Sequence, residues 1–318
     1  MRESGSCGSR PMLALTPEQP SDDAMRRILG CLLTALRAKV DGVLEDSDVV
    51  FLHDLRVATR RTRSALGQLE GVLPAKAVAP FSVDFKWLAE LTGPCRDLDV
   101  WLLDLSLYRG ALPHDEGAAL SRFESRVQAA RDRAHAEVVL GLTSSRFRQL
   151  LERWDAFLSM QPATADPPRD AETPVKALAD RRIARAYTRV LRRSRDLGDD
   201  PAAEALHRLR IAAKKLRYLL EFFRSLYPAE RVDPHITELK GLQDVLGELN
   251  DRGIQRARLA IMAHELEDTV GADTLAAMSD LGSVLDRRHE ELRAVFGNRL
   301  DPIVSTVAQR EYRALFGV

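Results

Sequence analysis

Two short stretches of this chain carry the same side chains at the same spacing, and both could hold an anion. Leu52-His53-Asp54-Leu55-Arg56-Val57-Ala58-Thr59-Arg60-Arg61-Thr62-Arg63-Ser64-Ala65-Leu66 returns, 154 positions later, as Leu206-His207-Arg208-Leu209-Arg210-Ile211-Ala212-Ala213-Lys214-Lys215-Leu216-Arg217-Tyr218-Leu219-Leu220. Seven of the fifteen positions are identical, and three more exchange Val for Ile or Arg for Lys. At about 100° per residue, His53, Arg56, Arg60 and Arg63 fall within an arc of about 80° on one helix face. His207, Arg210, Lys214 and Arg217 occupy the same arc in the second copy. Leu52, Leu55, Thr59, Leu66 and Leu69, and then Leu206, Leu209, Ala213 and Leu220, lie on a neighbouring arc suited to packing inward. Each copy therefore presents one histidine and three cations along roughly 15 Å of helix, a row that successive phosphates of an extended chain would meet in order.

The competing reading is a solvated face whose arginines are relieved by acids at i±3 or i±4. It fits poorly. Arg56 to Arg63 holds four arginines and no acid, and Arg208 to Arg217 holds five cations and no acid. Arg181, Arg182, Arg185, Arg189, Arg192, Arg193 and Arg195 form a third run without an acid. Like charges at i,i+4 destabilise an isolated helix, so their repetition points to an anionic partner, or else to acids brought from elsewhere in the fold. Arginine suits phosphate because its planar fork donates two parallel hydrogen bonds and keeps its charge.

The elements that must position these rows follow from the wider repeat. At the same offset Lys86 falls on Lys240, Leu88 on Leu242, Gly93 on Gly247, Asp97 on Asp251, and His135 on His289. Low aromatic content with abundant Ala, Leu, Arg and Glu favours helix, and no stretch alternates with a period of two. Ser21 is expected to cap a helix bearing Asp22 and Asp23 in its first turn, with apolar positions running to Leu44. Helices are then expected at about 48–71, 78–92 and 97–108 (divided by Gly93-Pro94), 115–141 and 144–160. The second half repeats the order at about 174–197, 201–226, 232–249, 251–268, 272–297 and 302–316. The predicted fold is all-α, two helical bundles related by a pseudo-twofold axis. Residues 1–20 read as a loose or weakly docked leader, 21–160 as the first half, proline-rich 161–173 as the linker, and 174–318 as the second half.

With 47 basic and 47 acidic residues among 318, the chain is not a bulk polycation, and a polyanion site requires charges segregated by position. The three cysteines, Cys7, Cys31 and Cys95, have no paired spacing, which fits a reducing cytoplasm and no disulfide framework. No apolar run approaches the ~18 residues of a membrane span.

The doubled pattern Leu-His-x-Leu-Arg-(Val/Ile)-Ala-x-(Arg/Lys)-(Arg/Lys)-x-Arg resembles that of the CHAD family, the conserved-histidine α-helical domain. Leu88 to Val100 (with Gly93, Arg96-Asp97 and Asp99-Val100) and Lys240 to Asp251 (with Gln243-Asp244, Gly247 and Asn250-Asp251) resemble its second signature. The resemblance runs from about residue 20 to 315. It implies a pseudo-symmetric pair of bundles with a basic groove between them that binds inorganic polyphosphate, in a family associated with polyphosphate granules. Carried over by position, the contacts are His53, Arg56, Arg60, Arg63 and Lys86 in the first half. In the second they are His207, Arg210, Lys214, Arg217 and Lys240. Spacing extends the set to Arg181, Arg185 and Arg189, with Lys39 and Arg193 in equivalent positions. The second half has Asn250 where the first has Arg96, which works against symmetrical contacts from these turns.

Other chemistry finds no support. The Glu-x-Glu-x-Lys strand motif of the CYTH-type triphosphate-hydrolysing domains that accompany some CHAD proteins is missing, as is spare length for such a domain. A P-loop is missing too. Neither catalysis nor a cofactor is expected. Arginine neighbours disfavour a metal on His53 or His207, and no His or Cys pair has ligand spacing. Each of these histidines then donates to phosphate, orients a neighbour, or is a structural residue pinning the helix start. His114, His235 and His264 read as loop or surface residues, His135 and His289 as core or rim, Trp87 and Trp101 as core. Asp97 and Asp99 with Arg96 read as a helix-start salt-bridge cluster. Nucleic acid is the competing partner, opposed by the absence of aromatics interleaved with the cations; a scaffold for acidic proteins is a third class. No membrane partner is expected, and the oligomeric state stays open, a monomer being compatible.

Overall fold

Val49–Gln68 forms a helix because its apolar positions recur with helical spacing and Asp48 caps its start, accepting from the Val50 N–H at 2.8 Å. The computed structural model of the chain describes residues 14–109, 121–160, 167–198, 201–266 and 271–317. Their helices, in chain order, are α1 (Ser21–Arg37), α2 (Val40–Leu44), α3 (Val49–Gln68), α4 (Ala75–Arg109), α5 (Ser121–Thr143) and α6 (Ser145–Ser159). Then come α7 (Val175–Arg195), α8 (Ala203–Phe222), a 3-10 turn (Arg224–Leu226), α9 (Ala229–Leu266), α10 (Ala272–Val304) and α11 (Thr306–Phe316). The described residues contain no strand, and the fold is all-α. α3 and α8 start 154 positions apart, and so do α4 and α9.

Several boundaries differ from expectation. Gly93-Pro94 does not divide a helix: α4 runs straight through it, with Pro80 and Pro94 inside. A proline removes one N–H and crowds the turn before it. Here the Arg56 guanidinium of α3 covers that turn, donating from Nη1 to the Ala89 carbonyl at 2.8 Å and the Thr92 hydroxyl at 2.9 Å. α9 likewise replaces two expected helices, and α10 continues through Pro302 to Val304 before Ser305 caps α11. The first expected helix instead stops at Arg37, and α2 follows as a separate turn. Ser21 is not its cap: its hydroxyl donates to the Thr173 carbonyl at 2.6 Å, and Pro20 occupies the capping position.

That bond belongs to a seam. Ser21 and Asp22 N–H groups donate to the carbonyls of Thr173 and Ala171, while Val175 and Lys176 N–H groups donate to those of Gln19 and Pro17. Leu15 is buried and its N–H meets the Ser225 hydroxyl at 3.1 Å. Residues 14–20 are therefore docked, contrary to a loose leader, because backbone pairing and one apolar anchor hold them. Within residues 167–173 of the expected linker, Asp170 and Ala171 are buried as well. The earlier leader residues, residues 161–166, His114 and the start of the helix expected at 115 lie outside the described residues.

α3 packs on α1, α4 and α8; α8 packs on α7 and α9; α4 pairs with α5 and α9 with α10. One apolar core runs through both sets of helices, from Leu29, Leu55 and Leu88 to Leu209, Leu216 and Leu242. A second core joins the far ends of the two long hairpins, where Trp101 meets Phe123 edge-on at 5.4 Å beside Leu259 and Leu281. Among the described residues no helix is long and apolar enough to cross a membrane.

Candidate functional site

The packing of α3 against α8 sets the two cation rows facing one another. Lys214 is the most telling member. Burial, followed by the fields of Arg60, Arg210, Arg217 and Arg56, pulls its ammonium down from 10.5 to about 7. Two of those four guanidinium groups come from α3 and two from α8, so residues 150 positions apart share one electrostatic site. Arg60, Arg210 and Lys214 form no ion pair with any described residue, and the buried Nε of Arg56 and of Arg60 has no hydrogen-bond acceptor. A buried donor without an acceptor costs about 1–3 kcal/mol.

The arginines lie against glycines on the next helix. A Cβ added at Gly93 would sit 3.6 Å from Arg56 Nη1, and one at Gly247 would sit 3.6 Å from Arg210 Nη2. The two contacts are separated by the repeat offset. A larger side chain at either position would take the space of the guanidinium.

His53 is half-buried; burial first, then Arg96 and Arg60, holds its imidazole below the usual histidine range, with Asp54 opposing. It is neutral near pH 7 and can donate one N–H without adding charge. His207 is exposed. Two aspartates complete the floor: burial pushes Asp97 up, Arg56 pulls it down, and Asp251 from α9 pushes it up again. Asp99 is buried and accepts from Arg131 Nε at 2.9 Å, with Arg96 at 4.0 Å. This is the salt-bridge cluster expected of these acids, placed mid-helix rather than at a helix start.

The fold matches known proteins. A model of the CHAD domain matches residues 27–260. The chain belongs to the CHAD family. It superposes on the crystal structure of the CHAD domain from the plant Ricinus communis with a TM-score of 0.73 and 25% identity, covering 91% of this chain and 94% of that one. PptA from Streptomyces chartreusis shares the fold at a TM-score of 0.64 and 20% identity, over 88% of this chain and 99% of that one. The uncharacterized proteins Rv2226 and MT2285 of Mycobacterium tuberculosis are each 28% identical over 259 residues, 80% of this chain. The chain spans about half the length of these curated relatives, 48%.

Not every expected contact of the CHAD chain joins the central cluster. His53, Arg56, Arg60, Arg210, Lys214 and Arg217 come together. Arg63, Lys86 and Lys240 are exposed, and Lys86 lies 3.6 Å from Glu90. Lys39 pairs with Asp54 at 2.9 Å and Arg193 with Asp196 at 3.4 Å. Arg181 pairs with Asp170 at 2.7 Å, whereas Arg185 and Arg189 are exposed. The acid-free windows also have acids at their edges: Arg208 meets Glu204 at 2.6 Å and Arg217 meets Glu221 at 2.6 Å, while Arg61 reaches Glu221 from α3. The relief by outside acids weighed above thus operates on part of each row and spares its centre.

Tyr218 is buried under the guanidinium of Arg217, 5.1 Å from its ring centroid, with Arg61 at 5.7 Å and Lys214 at 6.0 Å. Its ring thus lies against cations from both α3 and α8. Arg96 and Asp251 also belong to the site. His235 corrects a surface assignment: it is buried, 3.3 Å from Glu311 and 4.6 Å from the Tyr312 ring, because α11 folds over it. Trp101 is core as expected, while Trp87 is partly buried under Arg146.

A pH test isolates Lys214. Between about 7 and 10.5 the unfolded chain holds a proton on this side chain that the folded chain lacks. The Lys214 contribution to stability therefore rises with pH across that window and is least favourable below about 7. The urea midpoint of the wild type should gain on that of Lys214→Met between pH 7 and 9. Parallel curves for the two proteins would remove Lys214 from the low-pKa role.

Proposed function

We propose that this chain binds inorganic polyphosphate, without catalysing a reaction on it, in a basic groove where α3 and α4 face α8 and α9. The observation that carries this reading is the unpaired centre: Arg60, Arg210 and Lys214 make no ion pair with a described residue and gather with Arg56, whose one nearby carboxylate is Asp97. Family membership supports it, since CHAD domains are generally tied to polyphosphate. We assign the contacts to His53, Arg56, Arg60, Arg210, Lys214 and Arg217, with Arg63, Lys86, His207 and Lys240 extending the path at the exposed ends. The two halves, 21–160 and 174–318, contribute through equivalent helices, and recruitment to polyphosphate granules follows from the same contacts.

A phosphate chain suits this site better than a single anion. Several guanidinium groups along two helices each offer a charge-assisted bond worth roughly 1.5–3 kcal/mol, and an oligomer connects them without paying the association entropy anew each time. Bound phosphate also favours the charged form of Lys214. Binding should therefore take up protons above pH 7, and affinity should fall as pH rises from about 7 toward 9.

Calorimetric titration with long-chain polyphosphate at two salt concentrations, beside single-stranded DNA, tests the assignment. Submicromolar binding to polyphosphate, weakened by salt and weaker for DNA, is the expected result. No heat at low salt, or DNA displacing polyphosphate, would overturn it.

A further inference from the structure

The offset between the two cation rows predicts a contact that the fold makes on one side only. Arg61 of α3 pairs with Glu221, which is 1% exposed, and lies over the Tyr218 ring. Shifting each residue by 154 positions gives the mirror contact: Lys215 in place of Arg61, Gly67 in place of Glu221, and Ser64 in place of Tyr218. The acid and the aromatic ring are both gone. An open cleft of about 180 Å³ lies there, lined by Gly67, Gln68, Lys215, Arg182, Arg185 and Arg189. The three arginines from α7 stand where the first half has Ile28, Cys31 and Ala35.

Three of the four cations lining this cleft are without an ion pair to any described residue. Arg182 is held by the Asp170 carboxylate at 3.0 Å and the Glu70 carbonyl at 2.6 Å. Arg185, Arg189 and Lys215 make no ion pair with a described residue. The cleft is also separate from the central cluster. Ala212 and Leu219, which line it, lie about 180° around α8 from Arg210. Its volume is below the roughly 300–1,000 Å³ of pockets that hold drug-sized molecules, and no aromatic side chain lines it for a base to stack on.

We propose that the cleft between α7, α8 and the C-terminal end of α3 binds a short inorganic oligophosphate, at a second site independent of the central cluster. Guanidinium groups of Arg185 and Arg189 bind its oxygens bidentately, Lys215 supplies a point charge, and Arg182 is pre-set by Asp170. Glu221 closes the equivalent place in the other half; Gly67 leaves this one open.

The replacement Gly67→Glu tests this directly. A Cβ at Gly67 meets nothing within 4 Å, so the side chain fits and can pair with Lys215 as Glu221 pairs with Arg61. Tripolyphosphate is titrated into the full chain, into Gly67→Glu, into the neutral control Gly67→Gln, and into Arg185→Ala with Arg189→Ala. A fifth sample is Arg210→Ala with Lys214→Ala. Gly67→Glu and the α7 pair should each weaken binding by about tenfold or more, the order expected for one or two lost charge-assisted bonds. Gly67→Gln should stay within about twofold. The α8 pair removes tripolyphosphate contacts of the central cluster, so in it the cleft's binding event should remain and should still be lost on adding Gly67→Glu. Unchanged affinity in both Gly67→Glu and the α7 pair overturns the proposal, as does complete loss of tripolyphosphate binding in the α8 pair. ATP binding as tightly as tripolyphosphate would overturn the inorganic assignment. Long-chain polyphosphate measured on the same samples separates the two readings: a wild type that binds tripolyphosphate through Arg185 and Arg189 but shows no long-chain binding retains the cleft and loses the central site.

Discussion

Replacing Arg56 and Arg60 together by alanine is expected to weaken polyphosphate binding by about 10²-fold or more, and Arg210→Ala with Lys214→Ala should do the same. Each pair removes two charge-assisted contacts worth roughly 1.5–3 kcal/mol apiece, hence about 3 kcal/mol or more together. The two pairs should part company in stability. Arg56 also donates to Ala89 and Thr92 across the Pro94 turn, so its loss leaves buried acceptors behind. Arg210 and Lys214 repel each other and Arg60 without an ion pair to lose, so their removal should leave the unfolding midpoint unchanged or raised. Binding isotherms and urea curves on both double variants read the two effects. Full-strength binding in either variant would sink the central-site assignment, and equal collapse of helix content in both would make the rows structural.

Glu221→Ala should destabilise the fold by about 3–5 kcal/mol, the cost of removing one partner from a buried ion pair. Glu221 is 1% exposed; it accepts from Arg217 at 2.6 Å and from Arg61 across the α3–α8 contact. Without it, two guanidinium groups crowd toward Tyr218 and Lys214 with nothing to offset them. Added salt should recover part of the loss, because screening acts on the repulsion that remains. Glu221→Gln, which keeps the shape and some hydrogen bonding, should lose less. A denaturation midpoint for Glu221→Ala equivalent to a change below about 1 kcal/mol would show that the arginines find other acceptors.

The all-helical class, the places of α3 and α8, and the two cation rows were legible because each depends on local periodicity. An arc of helix is written by residues three and four apart, and the matching offset of Lys86, Gly93 and Asp97 with Lys240, Gly247 and Asp251 extended that reading to α4 and α9. Breaks were less legible. Gly93-Pro94 carries a strong stop signal, yet α4 continues, and the Arg56 guanidinium covers the disturbed turn by donating to the Ala89 carbonyl. That compensation comes from a residue on another helix.

What the sequence by itself determined is which positions are cationic, which face of each helix they share, and that the arrangement occurs twice. Tertiary structure decided which of those cations keep their charge uncompensated. Spacing added Lys39, Arg181 and Arg193 to the cations of the repeated signature, but Asp54, Asp170 and Asp196 reach these three. Glu221 is claimed by Arg61 and Arg217. Only the packing of α3 on α8 leaves Arg56, Arg60, Arg210 and Lys214 around one desolvated point. The reason is physical: helical phase follows from bonds between near neighbours, whereas neutralisation of a charge depends on through-space distance and on the water that packing removes.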